Sequence, residues 1–149
     1  MRPQALGATC VIRHLRRYLF FPALLLLLLI SSAFAASPRI NYLLYCSGCH
    51  RPTGEGNPPN VPTLHNELGE MLAVSEMRSY LVRIPGASQA PIDDADLTAV
   101  INWVLTEFNT ETLPSGFQYF NVDEVTMARK KVLADPLKYR KKYWKNYGE

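Results

Sequence analysis

The pentapeptide Cys46-Ser47-Gly48-Cys49-His50 constrains this chain more than any other feature. In a C-x-x-C-H motif, two thiols add across the two vinyl groups of one porphyrin edge, and the adjacent imidazole lies under the iron as its proximal ligand. The motif therefore predicts one covalently attached haem. Cys46 and Cys49 would form the thioethers, and His50 would bind the iron.

Two other kinds of site share the C-x-x-C spacing, and the rest of the sequence disfavours both. A thioredoxin-like redox site follows a strand in a βαβ pattern, whereas residues 40–45 have a helical pattern. A structural zinc site needs four suitably spaced ligands. Beyond residue 35 the only cysteines and histidines are Cys46, Cys49, His50 and His65, and His50 is directly adjacent to Cys49.

The first 35 residues have the composition of an export signal. Four arginines precede an apolar core from Ala23 to Ile30, and Ala33-Phe34-Ala35 supplies the small-residue pattern of a cleavage site. We expect cleavage after Ala35 and a periplasmic protein that meets the membrane only transiently, through its signal peptide. The alternative is an uncleaved N-terminal membrane anchor. After cleavage, Cys10 is lost and both remaining cysteines belong to the motif.

The charge is unevenly distributed along the chain. The formal net charge of +3 depends on the arginines of the signal, so it gives no reason to expect a nucleic-acid partner. Residues 36–128 carry 4 basic and 11 acidic residues, whereas residues 129–149 carry 8 basic and 2 acidic residues, interleaved with aromatics such as Tyr147. We expect this basic tail to dock either onto the acidic core or onto a partner protein.

Helical periodicity recurs along the chain, and no alternating strand pattern appears, so the predicted fold class is all-α. Four helices are expected, each with its own start signal. The first is Pro38–His50, with Ile40, Leu43 and Leu44 on one face. The second is capped by Ser75 and ends at Ile84, and its apolar stripe is Met77, Tyr80, Leu81 and Ile84. The third is capped by Asp93 and buries Leu97, Val100, Ile101, Val104, Leu105 and Phe108, and the fourth runs from the Asn121/Glu124 cap pair to Leu133. A further helix begins at Asp135-Pro136.

Three features besides the motif point to a known family. Tyr42 is an aromatic residue four positions before Cys46, Val61-Pro62-Thr63-Leu64-His65 is similar to a G-P-x-L stretch, and Asp93 to Phe108 contains Asn102-Trp103. The chain resembles small single-haem class I c-type cytochromes. The resemblance implies a helical haem domain over residues 36–108. It does not explain residues 109–149, which we expect to form a basic, aromatic-rich helical extension.

The resemblance also implies roles for individual residues. The Pro62 carbonyl would bind the second ring nitrogen of His50, and Leu64 would pack on the haem edge. Tyr42 and Trp103 would meet where the first and last core helices cross. His65 would face away from the iron.

One expected residue is missing. The family normally places a methionine, the second iron ligand, in the loop before the last core helix, but residues 86–91 contain none. Met71 and Met77 are weak candidates for this distal position. Otherwise the distal side is open or weakly occupied, for example by Gln89.

Two functions remain after these observations. The first is single-electron transfer with a redox protein partner, such as a periplasmic dehydrogenase or oxidase. In that case the protein is an electron carrier rather than an enzyme by itself. The second is a haem protein whose open distal site binds a small ligand, as a gas sensor, a carrier or a weak peroxidase.

Overall fold

The structure is a computed structural model that describes residues 36–58 and 60–145. The predicted signal peptide, its cleavage after Ala35, and Tyr147 lie outside the described residues. The described residues contain no β-strand, and their helices follow one another in chain order. The helices are α1 Pro38–Tyr45, α2 Ser47–His50, α3 Glu67–Met71, α4 Ser75–Arg83, α5 Pro85–Ser88, α6 Asp94–Phe108, α7 Val122–Arg129 and α8 Pro136–Tyr143. The all-α fold class is therefore confirmed.

The predicted first helix is divided in two at Cys46, which separates α1 from α2. The predicted face of α1 was wrong, because Ile40 and Leu44 are 45% and 64% exposed while Tyr42 is fully buried. One large aromatic ring decides the rotation of this eight-residue helix. Burying a ring such as Tyr42 removes more apolar surface from water than burying either aliphatic side chain.

Helix α4 differs slightly from its predicted bounds. Val74, not Ser75, precedes the first helical residue, and the Ser75 hydroxyl donates to Glu76 at 2.8 Å. The helix ends at Arg83 because Ile84 is extended, as the residue before a proline usually is. Pro85 then begins the short helix α5. The buried side of α4 is formed by Met77, Tyr80, Leu81 and Val82.

Helix α6 matches its sequence pattern. The Asp93 carboxylate accepts a hydrogen bond from the Asp96 amide at 2.7 Å, so the predicted cap is confirmed. Satisfying an orphan amide in this way stabilises the first turn. The predicted stripe is buried except for Phe108, which is half-buried.

The C-terminal segment contains two helices, and the first is shorter than predicted. The Asn121 side chain accepts from the Glu124 amide at 2.9 Å, but α7 ends at Arg129 rather than at Leu133. Beyond Arg129 the chain turns so that the Leu133 amide donates to the Arg83 carbonyl at 2.9 Å. The helix stops early because Leu133 is buried in the core and its amide binds Arg83 instead of a carbonyl of α7. Helix α8 begins as predicted, at Pro136.

This segment packs into the same core as the helices before it. Phe120, Val125 and Leu133 are buried in one cluster with residues of α3, α4 and α6. The cluster also includes Met71, Met77, Leu97 and Leu105. The segment therefore supplies part of the interior rather than lying on its surface.

The basic tail also forms ion pairs with acidic residues of the core. Arg129 binds Asp94 at 2.8 Å and Arg140 binds Glu67 at 2.5 Å. Arg140 is only 1% exposed. The prediction that the tail docks onto the acidic core is confirmed at these positions. None of the helices in residues 36–58 and 60–145 is long and apolar enough to cross a membrane.

Candidate haem site

A cavity of about 330 Å³ lies against the C-x-x-C-H motif. Its volume falls in the range of small-molecule and cofactor sites, which is about 300–1,000 Å³. Its lining is mostly apolar, and one side is formed by α6, with Leu97, Val100, Ile101, Val104 and Leu105, together with Leu81 of α4. Two further parts of its surface are defined here. The motif wall consists of Cys46, Cys49, His50 and Pro62, and the loop wall consists of Ile84, Gly86, Ala87 and Ala90.

Helix α2 brings the two thiols and the imidazole together. The amides of Cys49 and His50 both donate to the Cys46 carbonyl, at 3.2 and 3.0 Å. Residues at i, i+3 and i+4 share one face of a helix, so this single turn directs three reactive side chains to one side. Cys46 is half-buried and Cys49 is exposed, and both are free thiols. Burial, together with the neighbouring Cys49, raises the pKa of the Cys46 thiol.

His50 is held through one of its ring nitrogens. Nδ1 lies 3.1 Å from the Pro62 carbonyl oxygen. Because a carbonyl only accepts, Nδ1 carries the proton and Nε2 keeps its lone pair. Burial lowers the pKa of His50, partly offset by the bond to Pro62. The ring is therefore a neutral nitrogen donor, the form that binds a metal.

The loop between His50 and Leu64 is irregular, as its prolines and glycines predict, but it is strongly hydrogen-bonded. The Gly56 amide donates to the His50 carbonyl at 3.1 Å, and the Leu64 amide donates to the Gly54 carbonyl at 2.8 Å. Gly56 has φ +70, and a Cβ there would collide with the carbonyls of Val61 and Pro62. Gly56 therefore positions the carbonyl that binds His50, a role that the sequence alone did not indicate.

The helix crossing behind the motif is confirmed. The rings of Tyr42 and Trp103 lie 5.1 Å apart, and both also contact Phe108, at 5.8 and 5.4 Å. The Tyr42 hydroxyl donates to the Arg51 carbonyl at 2.6 Å, and burial raises the pKa of Tyr42 to about 12. Three aromatic rings therefore fix α1 against α6 directly beside Cys46.

Leu64 and His65 were predicted to differ, with Leu64 on the haem edge and His65 facing away from the iron. Leu64 lines the cavity. His65 does not, because its ring lies 4.8 Å from Phe108 and its Nε2 lies 2.5 Å from the Thr53 carbonyl oxygen.

The structure brings neither methionine candidate for the distal position to the cavity. Met71 and Met77 are fully buried in the core cluster that includes Phe120 and Val125, and neither is among the lining residues. Phe120, Val125 and Leu133 of the C-terminal segment pack in the same cluster as these two methionines. Gln89 is exposed and also lies outside the lining. Among the described residues, no methionine sulfur and no imidazole except that of His50 lines the cavity.

Two polar residues of the lining were not found from the sequence. Tyr80 is 4% exposed, and Arg140 donates to the Glu67 carboxylate and to the Lys145 carbonyl. Periodicity assigned Tyr80 only to a core stripe. Arg140 was one of eight basic residues in the tail, and nothing in the pattern distinguished it from the others.

The donor set fits a covalently bound haem. Two thiols and a neutral imidazole lie on one turn, and the remaining surface is largely apolar. In the described part of the chain, no group of three or more histidine, cysteine, aspartate or glutamate side chains is placed to hold a bare metal ion.

Relatives of known identity support this assignment. Two proteins of Thermus thermophilus, both named cytochrome c-552, are similar to this chain. The first is 29% identical over 125 residues, covering 72% of this chain and 84% of the relative. The second is 30% identical over 106 residues, covering 59% of this chain and 81% of the relative. No protein-family model matches the chain.

The all-α fold and the C-x-x-C-H turn at an apolar cavity together define a class of helical proteins built around a covalent porphyrin site. Given the relatives, the chain belongs to the c-type cytochrome family.

Proposed function

We propose that this protein is an exported c-type cytochrome that carries one covalent haem c and transfers single electrons. One observation carries the proposal: Cys46, Cys49 and a neutral His50 share a helical turn at the edge of an apolar cavity. When bound, the haem supplies an iron that cycles between its ferric and ferrous states.

The protein's own residues tune that chemistry. Donation from His50 Nδ1 to the Pro62 carbonyl orients the ring and raises the basicity of Nε2 toward the iron. The apolar side chains of α4 and α6 exclude water from the cofactor, and burial of a haem is one of the factors that set its potential. A haem held in this way can gain or lose one electron, and the electron-transfer function needs no bound substrate.

A redox protein partner fits the surface beside the motif. Ile40, Leu44 and Tyr45 are 45%, 64% and 41% exposed, and Cys49 is exposed next to them. Arg39 and Arg51 flank this group, and both are exposed. We propose that a periplasmic dehydrogenase or oxidase covers this apolar patch during electron transfer. The protein then acts as a carrier rather than as an enzyme by itself.

A second function is favoured by the lining of the cavity. The loop wall offers only Ile84, Gly86, Ala87 and Ala90, and Met71 and Met77 lie elsewhere in the core. A haem without a strong sixth ligand binds small molecules, so a gas sensor, a carrier or a weak peroxidase is the alternative.

Absorption spectra of the purified mature protein test both functions. Electron transfer predicts a covalent haem with a low-spin spectrum, reversible reduction, and no response to carbon monoxide. The alternative predicts a high-spin spectrum that changes when carbon monoxide is added to the reduced protein. A chain exported without covalent haem would refute both.

A further inference from the structure

The guanidinium of Arg129 binds several carbonyls of one loop. It donates to the carbonyl oxygens of Ser88 and Ile92, each at 2.8 Å, and also to that of Ala90. The same side chain binds the Asp94 carboxylate at 2.8 Å, and Thr126 donates to the second Asp94 oxygen at 2.7 Å. A fixed fork of five donors suits Arg for binding several oxygens at once, and lysine cannot reproduce it.

The loop that Arg129 holds forms part of the cavity surface. Ala90 belongs to the loop wall, and Ser88 is the last residue of α5, which contributes Gly86 and Ala87. The loop's own hydrogen bonds are short-range, such as those from the Gln89 amide to the Pro85 carbonyl and from the Ile92 amide to the Ala90 carbonyl. Among the hydrogen bonds of the described residues, those from Arg129 are the ones that join this loop to a distant part of the chain.

We propose that Arg129 is a positioning residue that fixes the loop wall and thereby controls the entry of small neutral ligands to the haem. The proposal rests on the proposed haem site and deepens the second proposed function, in which that haem binds small ligands. Gly86 has no side chain and those of Ala87 and Ala90 are single methyl groups, so the space at these positions depends on where the backbone is held. Because the carbonyls on both sides of Gln89 are bound, its amide side chain also stays outside the cavity.

The test compares Arg129→Lys with a matched control, Arg78→Lys, in the haem-loaded protein. Arg78 also joins the C-terminal segment to the core, because it binds Glu124 at 2.5 Å and the Gln118 carbonyl at 2.9 Å. In the described part of the chain, none of the hydrogen bonds of Arg78 goes to the loop wall. Both variants keep the positive charge, so they differ in which segment loses its tether.

Two measurements are made on each variant. The first is hydrogen exchange at the amides of Ser88, Gln89, Ala90 and Ile92, which reports local opening of the loop. In Arg129→Lys we expect protection at these amides to fall about tenfold or more, the size expected from losing hydrogen bonds to a charged group. The second is the rate of carbon monoxide association with the reduced protein, which should rise several-fold. Arg78→Lys should leave both unchanged.

The outcomes separate this proposal from the proposed function. Equal loop protection in the two variants would refute the positioning role. Lower protection in Arg129→Lys without a change in the association rate would refute control of entry, as would a wild-type protein that does not bind carbon monoxide. A protein without covalent haem would refute the proposed function, and loop exchange alone would then decide whether Arg129 holds the loop.

Discussion

The motif wall and the loop wall bound the same cavity but are held over very different distances in the sequence. His50 is fixed by Pro62, 12 residues away, within one short stretch of chain. The carbonyls of Ser88, Ala90 and Ile92 are fixed by Arg129, which lies 37 to 41 residues further along. The first wall is encoded locally, and the second depends on a segment that folds back from the C-terminal part.

This difference indicates where each property of the site is decided. Under the proposed function, attachment of the haem and orientation of its proximal ligand depend on residues 46–62. Under the proposed role of Arg129, access of small ligands to the haem depends on the C-terminal segment. A change in the tail can therefore alter ligand access and leave covalent attachment intact.

The largest expected effect is in the motif wall. A Cys46→Ala/Cys49→Ala double variant should lose all covalent haem, because no other thiol remains after residue 35. Cys10→Ala is the matched control and should keep its haem, since Cys10 lies in the predicted signal. Haem staining of the denatured chain measures the result. Haem that survived denaturation in the double variant would contradict the assignment of the motif.

The helix crossing behind the motif wall should contribute the next largest effect. Trp103→Ala removes a ring that contacts Tyr42 and Phe108. Truncating a buried aromatic residue costs about 3–5 kcal/mol of unfolding free energy, and because Trp103 is half-buried we expect a loss toward the lower end of that range. Tyr119→Ala, at a 57% exposed position, should cost far less. Denaturant unfolding of both variants tests this, and equal losses would refute the proposed importance of the crossing.

A smaller effect is expected where the motif wall depends on a glycine. Gly56→Ala forces a Cβ against the Pro62 carbonyl, and we expect a loss of about 1–3 kcal/mol, as for overpacking. Gly116→Ala is the control, because Gly116 has a similar φ of +75 and open space around its Cα. The reduction potential should shift only in Gly56→Ala, since only that change moves the bond to His50. Equal shifts in the two variants would point to backbone strain alone.

The smallest effect concerns the acid dependence of the loop wall. Hydrogen bonds from Arg129 and then Thr126 lower the pKa of Asp94 below its ordinary value of about 4. A lowered pKa in the folded state means that this stabilisation is complete above pH 4 and is lost as the pH falls through the folded pKa. Protection of the Ser88, Gln89, Ala90 and Ile92 amides, relative to their intrinsic exchange rates, should therefore fall only below pH 4. Asp94→Asn should remove that dependence, and an unchanged profile would contradict the assignment.

The sequence was sufficient to predict features whose cause is local. The spacing of Cys46, Cys49 and His50 predicted their shared turn, and Asp93 predicted the start of α6. Tyr42 and Trp103 were paired through the family resemblance. Each of these depends on neighbours along one helix or on a known helix crossing.

Features set by distant contacts were not predictable. Nothing in the pattern showed that Arg129 would bind loop carbonyls, or that α7 would stop so that Leu133 could bind Arg83. The predicted buried face of α1 was wrong because the spacing of the aliphatic residues does not show that a single tyrosine, Tyr42, turns a different side of the helix inward. Nothing in the sequence shows that Met71 and Met77 are buried against the C-terminal segment, so both were candidates for the distal iron ligand.

The late position of Phe120, Val125 and Leu133 has a consequence for the order of events in the cell. These side chains fill the core, so the interior cannot close until the end of the chain has been made. Until residues 120–133 pack, the core stays open and both thiols stay reachable. Under the proposed function, haem attachment therefore comes before the core closes.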